Sequence, residues 1–119
     1  SYLKKNDRYV FFKKVDYAIP HGSIGFPVTA MRSIATDKKV FPAGGLAFAV
    51  VESKKAKKGW FNFAKQREAE KSFFVLDQDT GGAIQTPARA DIYFGIGEQA
   101  MHDAGEINTY GRLYYFLKK

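Results

Sequence analysis

Val75-Leu76-Asp77-Gln78-Asp79-Thr80-Gly81-Gly82-Ala83-Ile84, followed a few residues later by Arg89-Ala90-Asp91-Ile92-Tyr93-Phe94-Gly95, is the stretch on which the fold turns. Acids sit here among apolar residues, and the periodicity is two. In the second segment strict alternation sends Ala90, Ile92 and Phe94 to one face and Asp91, Tyr93 and Gly95 to the other. The pattern predicts a strand over Ala90–Phe94. It predicts another over Phe73–Leu76, ahead of a turn at Asp79-Thr80-Gly81-Gly82.

The same texture extends outward in both directions. Eleven glycines and 16% aromatic residues favour strands over long helices. Further candidate strands are Tyr9–Phe12, Thr29–Ile34, Gly45–Val51 and Leu113–Leu117, with Pro20, Pro27, Pro42 and Pro87 between them or at their edges. Six short strands at this spacing predict a mainly β fold and a small barrel. One helix is expected over Glu98–Ala104: it follows Gly97, has an acid in its first turn and stops at Gly105, a natural position just beyond a helix end. Glu52–Lys71 reads either as a helical turn or as a long hairpin arm, an insertion in both cases. No repeat, low-complexity tract or Pro- or Ser-rich linker divides the 119 residues, so residues 1–119 read as one unit.

Composition excludes several classes. No apolar run reaches the ~18 residues of a membrane span. The chain has no cysteine, which removes thiolate catalysis, disulfides and Cys-based zinc sites. Nineteen Lys and Arg against twelve Asp and Glu give a net charge of +7, which suits polyanionic neighbours without choosing among them. Part of that excess is local to Lys54, Lys55, Lys57 and Lys58, which read as a solvated loop. Ser1–Lys5 lead straight into polar and aromatic sequence, so no signal peptide is visible; either the protein is cytosolic or its start was removed.

The generic motifs fail on context. Gly95-Ile96-Gly97-Glu98-Gln99-Ala100 has the form of a dinucleotide fingerprint, but only nineteen residues follow Ala100, too few for the rest of the βαβ unit. His21 and His102 lack carboxylates at ligand spacing, so no metal is expected, and no cofactor. No serine stands in a GxSxG elbow. Arg8-Tyr9-Val10-Phe11-Phe12-Lys13-Lys14 interleaves basic and aromatic residues as a single-strand nucleic-acid platform does, and reads equally as a half-buried strand, the preferred reading.

With the aliphatic face of Ala90–Phe94 in the core, Asp91 looks into a groove beside Tyr93. A carboxyl so placed can be partly desolvated and near other carboxylates, both of which keep a proton available to a glycosidic oxygen. The plainer reading makes Asp79-Thr80-Gly81-Gly82 an Asx turn and Asp91 a solvent-facing strand residue. Periodicity does not decide between them.

The residues carry a resemblance that does. Asp79-Thr80-Gly81-Gly82-Ala83-Ile84, Arg89-Ala90-Asp91-Ile92-Tyr93-Phe94-Gly95-Ile96-Gly97, Ala104-Gly105 and Tyr110-Gly111-Arg112-Leu113-Tyr114 resemble, in order and spacing, the C-terminal catalytic region of the membrane-bound lytic murein transglycosylase A family. Upstream, Asn6-Asp7-Arg8-Tyr9-Val10-Phe11-Phe12 and Asp37-Lys38-Lys39-Val40-Phe41-Pro42-Ala43-Gly44 are similar to two further segments of that family. Asp37, Asp79 and Asp91 fall where its three-aspartate (3D) domain has the acids that name it. Departures are Gln85 where a basic residue is usual, Thr86 for Gly, Asp7 for Pro, and Ser53–Lys71, which has no clear counterpart.

The resemblance implies a six-stranded double-psi β-barrel. It makes residues 1–119 the C-terminal 3D domain of a longer two-domain polypeptide, with an insertion at 53–71. The implied substrate is the peptidoglycan glycan strand, cut between N-acetylmuramic acid and N-acetylglucosamine to leave 1,6-anhydromuramoyl ends. Asp91 would act as acid and then base, with Asp79 beside it; Tyr93, Thr80, Gly81, Gly82 and Gln85 would line the sugar site, and Asp37 would support it by holding a turn. A periplasmic location follows, with any outer-membrane anchor outside this segment, and the partners are the glycan strand and the remainder of the polypeptide rather than nucleic acid. Two other classes stay open: a glycan-binding barrel without turnover, and a single-strand nucleic-acid binder motivated by the charge and the Tyr9–Phe12 aromatics.

Overall fold

A computed structural model describes residues 11–16, 18–52 and 70–119. Five strands and one helix follow in chain order: β1 (Ser33–Ala35), β2 (Leu46–Glu52), β3 (Glu70–Asp79), β4 (Asp91–Ile92), α1 (Glu98–Glu106) and β5 (Gly111–Tyr115). They form one sheet in the order β4-β1-β3-β2-β5. β1 runs parallel to β3, and every other pairing is antiparallel.

Alternation builds the central strands as expected. Ala47 and Ala49 of β2 and Val75 of β3 point inward and join Ile34 of β1 in the buried core, with Phe73, Ile92, Leu113 and Tyr115 packed against it. Leu46, Phe74, Leu76 and Tyr114 take the other face, where Phe48 and Phe74, opposite each other in the β2–β3 register, meet edge to face at 5.0 Å.

The sheet formed by the described residues has five strands and does not close, so the six-stranded barrel is not seen in it. Two local causes are visible. Phe11 and Phe12 are exposed and in no strand, while Tyr9 and Val10 lie outside the described residues. β4 is only two residues long, because the chain leaves the ladder as it approaches Gly95, whose φ of 108° suits glycine alone. Both β4 and β5 are therefore left as edges.

Other boundaries moved as well, β5 by two residues toward the N-terminus. Thr29–Arg32 belongs to a turn, not to β1: Arg32 and Ser33 N–H groups both donate to the Thr29 carbonyl, and Met31 has a φ of 59°. β3 is longer than its apolar run, because Glu70–Ser72 pair with Val50–Glu52. α1 passes through Gly105 and ends with Ile107 as its C-cap. The expected insertion falls on residues 53–69, outside the described ones, except that Glu70 and Lys71 belong to β3.

Candidate functional site

The C-terminal end of β3 supplies the floor of the site. After Asp79 the chain turns at Thr80–Ala83, anchored by buried Ile84, whose N–H donates to the Gly81 carbonyl at 2.9 Å. Across from it, β1 and β4 supply Ser33–Ala35 and Asp91–Tyr93, and the loop 20–28 closes a third side. Together they enclose a cavity of about 400 Å³ whose lining includes Asp79, Thr80, Gly81, Gly82, Asp91 and Tyr93. These residues were expected to share a site from sequence, and the fold gathers them. Gln85 is not in the lining; its side-chain amide turns back to donate to the Gly82 carbonyl at 2.8 Å.

Asp79 is half-buried, and its Oδ1 accepts the N–H of Ser23 at 2.9 Å, tying the floor to the 20–28 loop. That loop approaches β3 very closely at Gly22, where a Cβ would lie 2.2 Å from the Gln78 carbonyl oxygen. Glycine is required there by space. Gly81 and Gly82 are different: neither has a positive φ, and around Gly82 nothing stands within 4 Å of a built Cβ. Their part is to leave the wall low.

Asp91 is not the desolvated carboxyl that the alternation suggested. Its side chain is 47% exposed, and Arg89 takes both oxygens, Nε donating to Oδ1 at 2.8 Å and Nη2 to Oδ2 at 2.9 Å. The hydrogen bond and the charge of Asp91 raise the Arg89 guanidinium above its ordinary range. Nη1 of Arg89 also reaches the Ala83 carbonyl at 3.3 Å, so the guanidinium bridges the glycine turn and the candidate acid. Sequence reading missed this clamp, although Arg89 and Asp91 share a face two residues apart on an extended chain.

Asp37 lies outside the cavity and is buried. Its carbonyl accepts Val40 and Phe41 N–H groups and its Oδ1 accepts Lys39 N–H at 3.0 Å, which is how a turn-holding acid behaves. A fourth acid, Asp77, was quoted in the sequence but given no role. It is wholly buried and bonded by Lys38, Thr36 and Tyr115. The signal was available: on β3 it follows Val75 by two residues and so points inward.

Pro20, His21 and Val28 also line the cavity and were not expected there. His21 Nδ1 lies 2.9 Å from the Ile19 carbonyl oxygen. Beyond Tyr93, a second hollow of about 600 Å³ runs between Ile92–Gly95 and the Glu98, Ala100, Met101 and Ala104 side of α1. Among the described residues no three His, Asp or Glu side chains converge as metal ligands, and no helix is long and apolar enough to cross a membrane.

An open hollow with two carboxylates, two hydroxyls, a phenol and low glycine walls can take up a polyhydroxylated ligand and exchange a proton with it. Known proteins point the same way. The chain is 36% identical over 112 residues to the membrane-bound lytic murein transglycosylase A of Escherichia coli K12, covering 94% of this chain and 29% of that one. Against the protein of the same name from Vibrio cholerae serotype O1 the identity is 32% over 112 residues, covering 94% and 28%. The crystal structure of E. coli MltA with bound chitohexaose superposes with a TM-score of 0.75 at 33% identity, covering 95% of this chain and 32% of that one. The chain thus spans under a third of the length of the relatives it matches. The 3D domain profile matches residues 32–117, which take in Asp37, Asp77, Asp79 and Asp91, and the chain belongs to the 3D domain family.

Proposed function

We propose that this chain is the catalytic 3D portion of a peptidoglycan lytic transglycosylase. The carrying observation is the single cavity that unites Asp79, Thr80, Gly81, Gly82, Asp91 and Tyr93. Two of the relatives bear that enzyme's name, and one solved neighbour has bound chitohexaose. The remainder of a longer polypeptide would complete a double-psi barrel around the open β4 and β5 edges. The "membrane-bound" in the relatives' names supports a cell-envelope location, with the periplasm as the compartment that holds the substrate.

In this mechanism Asp91 protonates the oxygen between N-acetylmuramic acid and N-acetylglucosamine, and that C–O bond breaks. As carboxylate it then takes the proton from the muramoyl C6 hydroxyl while that oxygen bonds to the anomeric carbon. The tethered hydroxyl has the high effective molarity of an intramolecular nucleophile, so no water need be activated. Asp79 stabilises the positive charge developing on the sugar ring. Both oxygens of Asp91 are engaged by Arg89, so one must be released before it reaches the glycan. Entry of the sugar between them is the step that opens the clamp.

Asp91→Asn in the full-length protein is expected to lower release of anhydromuropeptides from purified sacculi by about 10²–10⁴-fold while sacculus binding persists. Mass spectrometry of the products is the test: reducing ends in place of anhydro ends would reject the reaction. One observation favours a second reading, glycan binding without turnover, namely the intact Arg89–Asp91 clamp. Under that reading the wild-type protein binds sacculi and releases nothing.

A further inference from the structure

The floor of the cavity is tied to a buried charge that the proposed chemistry does not use. Asp77 Oδ2 accepts Thr36 Oγ1 and the Tyr115 hydroxyl, each at 2.6 Å, and Oδ1 accepts Lys38 Nζ, which also donates to Thr36 Oγ1 at 3.0 Å. The Tyr115 ring is stacked on Phe41, with centroids 5.1 Å apart. Three of these bonds converge on Asp77, and its own bond to Thr36 Oγ1 and that of Lys38 link the cluster to Thr36, which is itself fully buried. Its main chain reaches the other way, into the cavity lining: the Thr36 N–H donates to the Asp79 carbonyl at 3.2 Å, and the Thr36 carbonyl accepts Thr80 Oγ1 at 3.1 Å.

The ladder alone does not fix that floor. The register between β1 and β3 shifts between Ile34 and Ala35, so that Ile34 faces Asp77 and Ala35 faces Asp79. Pairing is thus irregular at the residues that carry the site. An apolar group in place of Asp77, Lys38 and Tyr115 would hold the strands at least as firmly, because burying charge is costly. What apolar packing lacks is directed bonds, which set the place of Thr36 to within tenths of an ångström.

We propose that Asp77 is a positioning residue of the cavity, acting with Lys38 and Tyr115 through Thr36 to fix the main chain of Asp79 and the hydroxyl of Thr80. The inference deepens the transglycosylase reading and rests on it for its kinetic test. Asp77 touches no substrate; its effect is carried by a hydrogen-bonded relay of two steps.

The test compares Asp77→Asn and Tyr115→Phe with Leu113→Ala in the full-length protein. Leu113 packs in the same region of the core but makes no side-chain bond to Thr36. Tyr115→Phe keeps the ring on Phe41 and removes only the hydroxyl, so it stays informative should Asp77→Asn fail to fold. On soluble murein glycans, Tyr115→Phe is expected to lower kcat about tenfold with KM changed less than about threefold. Leu113→Ala, with a comparable fall in Tm, is expected to keep kcat within about twofold. Loss of kcat in step with Tm across all three variants overturns the proposal. If the wild-type protein makes no anhydro product, the enzymatic reading fails separately. Positioning is then read by amide hydrogen exchange at Thr36 and Ser23, about tenfold faster in Tyr115→Phe and unchanged in Leu113→Ala. Equal exchange in both variants overturns it.

Discussion

At the scale of single residues, Asp77 carries a carboxylate with no solvent exposure because three donors meet it. Removing the acceptor strands Lys38, which is 23% exposed, so Asp77→Ala is expected to cost about 3 kcal/mol in urea unfolding. Tyr115 gives a pH signature. Burial, and after it the bond to Asp77, hold its phenol protonated well above the ordinary 10.0. The unfolded chain then loses that proton first, so stability is fully present below about pH 10 and declines as pH rises beyond it. Denaturant titrations at increasing alkaline pH are expected to show a shallower decline in Tyr115→Phe than in the wild-type protein. Much of the site was legible at this scale: alternation put Asp91 and Tyr93 on one face, and the Asp79-Thr80-Gly81-Gly82 turn was plain from its chemistry. The Arg89 clamp was not, because a period of two places side chains on a face but says nothing about which of them bond. For Asp77 the inward direction was legible from its spacing to Val75, but its bonding was not, since its donors, Lys38 and Tyr115, are brought in from 39 and 38 positions away.

Among the elements, the 20–28 loop is fixed by space as much as by bonding. Its contact with β3 at Gly22 leaves no room for a methyl group, since the atom in the way is a backbone oxygen. Gly22→Ala is therefore expected to destabilise the protein by about 1–3 kcal/mol in chemical denaturation and to loosen the Ser23–Asp79 bond, read as faster exchange of the Ser23 amide. Strand existence was readable wherever both flanks alternate: β2 and β5 lie within one or two residues of expectation. β1 was misplaced because Thr29-Ala30-Met31-Arg32 alternates as a strand would, while the turn it forms depends on a Met31 conformation that composition cannot announce. α1 overran Gly105 because glycine weakens a helix without ending it when its φ stays negative.

For the whole molecule, the charge of +7 does not come from the cavity, whose lining holds two of the acids and no Lys or Arg. Attraction to a polymer bearing carboxylates is expected to fade with ionic strength. Co-sedimentation with sacculi should fall between about 0.05 M and 1 M salt, over which the screening length shrinks several-fold, whereas the products of cleavage should keep their anhydro ends. Barrel closure was the expectation least supported by local pattern, since closure depends on pairing at both edges and β4 and β5, at the edges of this sheet of described residues, are each paired on one side only. The parallel pairing of Ser33 with Leu76 has one more consequence. β1 is three residues long, and its two neighbours, β3 and β4, both come later in the chain, so nothing can template it as it first emerges. The β2–β3 ladder can zip early; the hollow beside Asp79 and Asp91 must wait for a distant segment to thread back beside it, which makes its birth the slow event of folding.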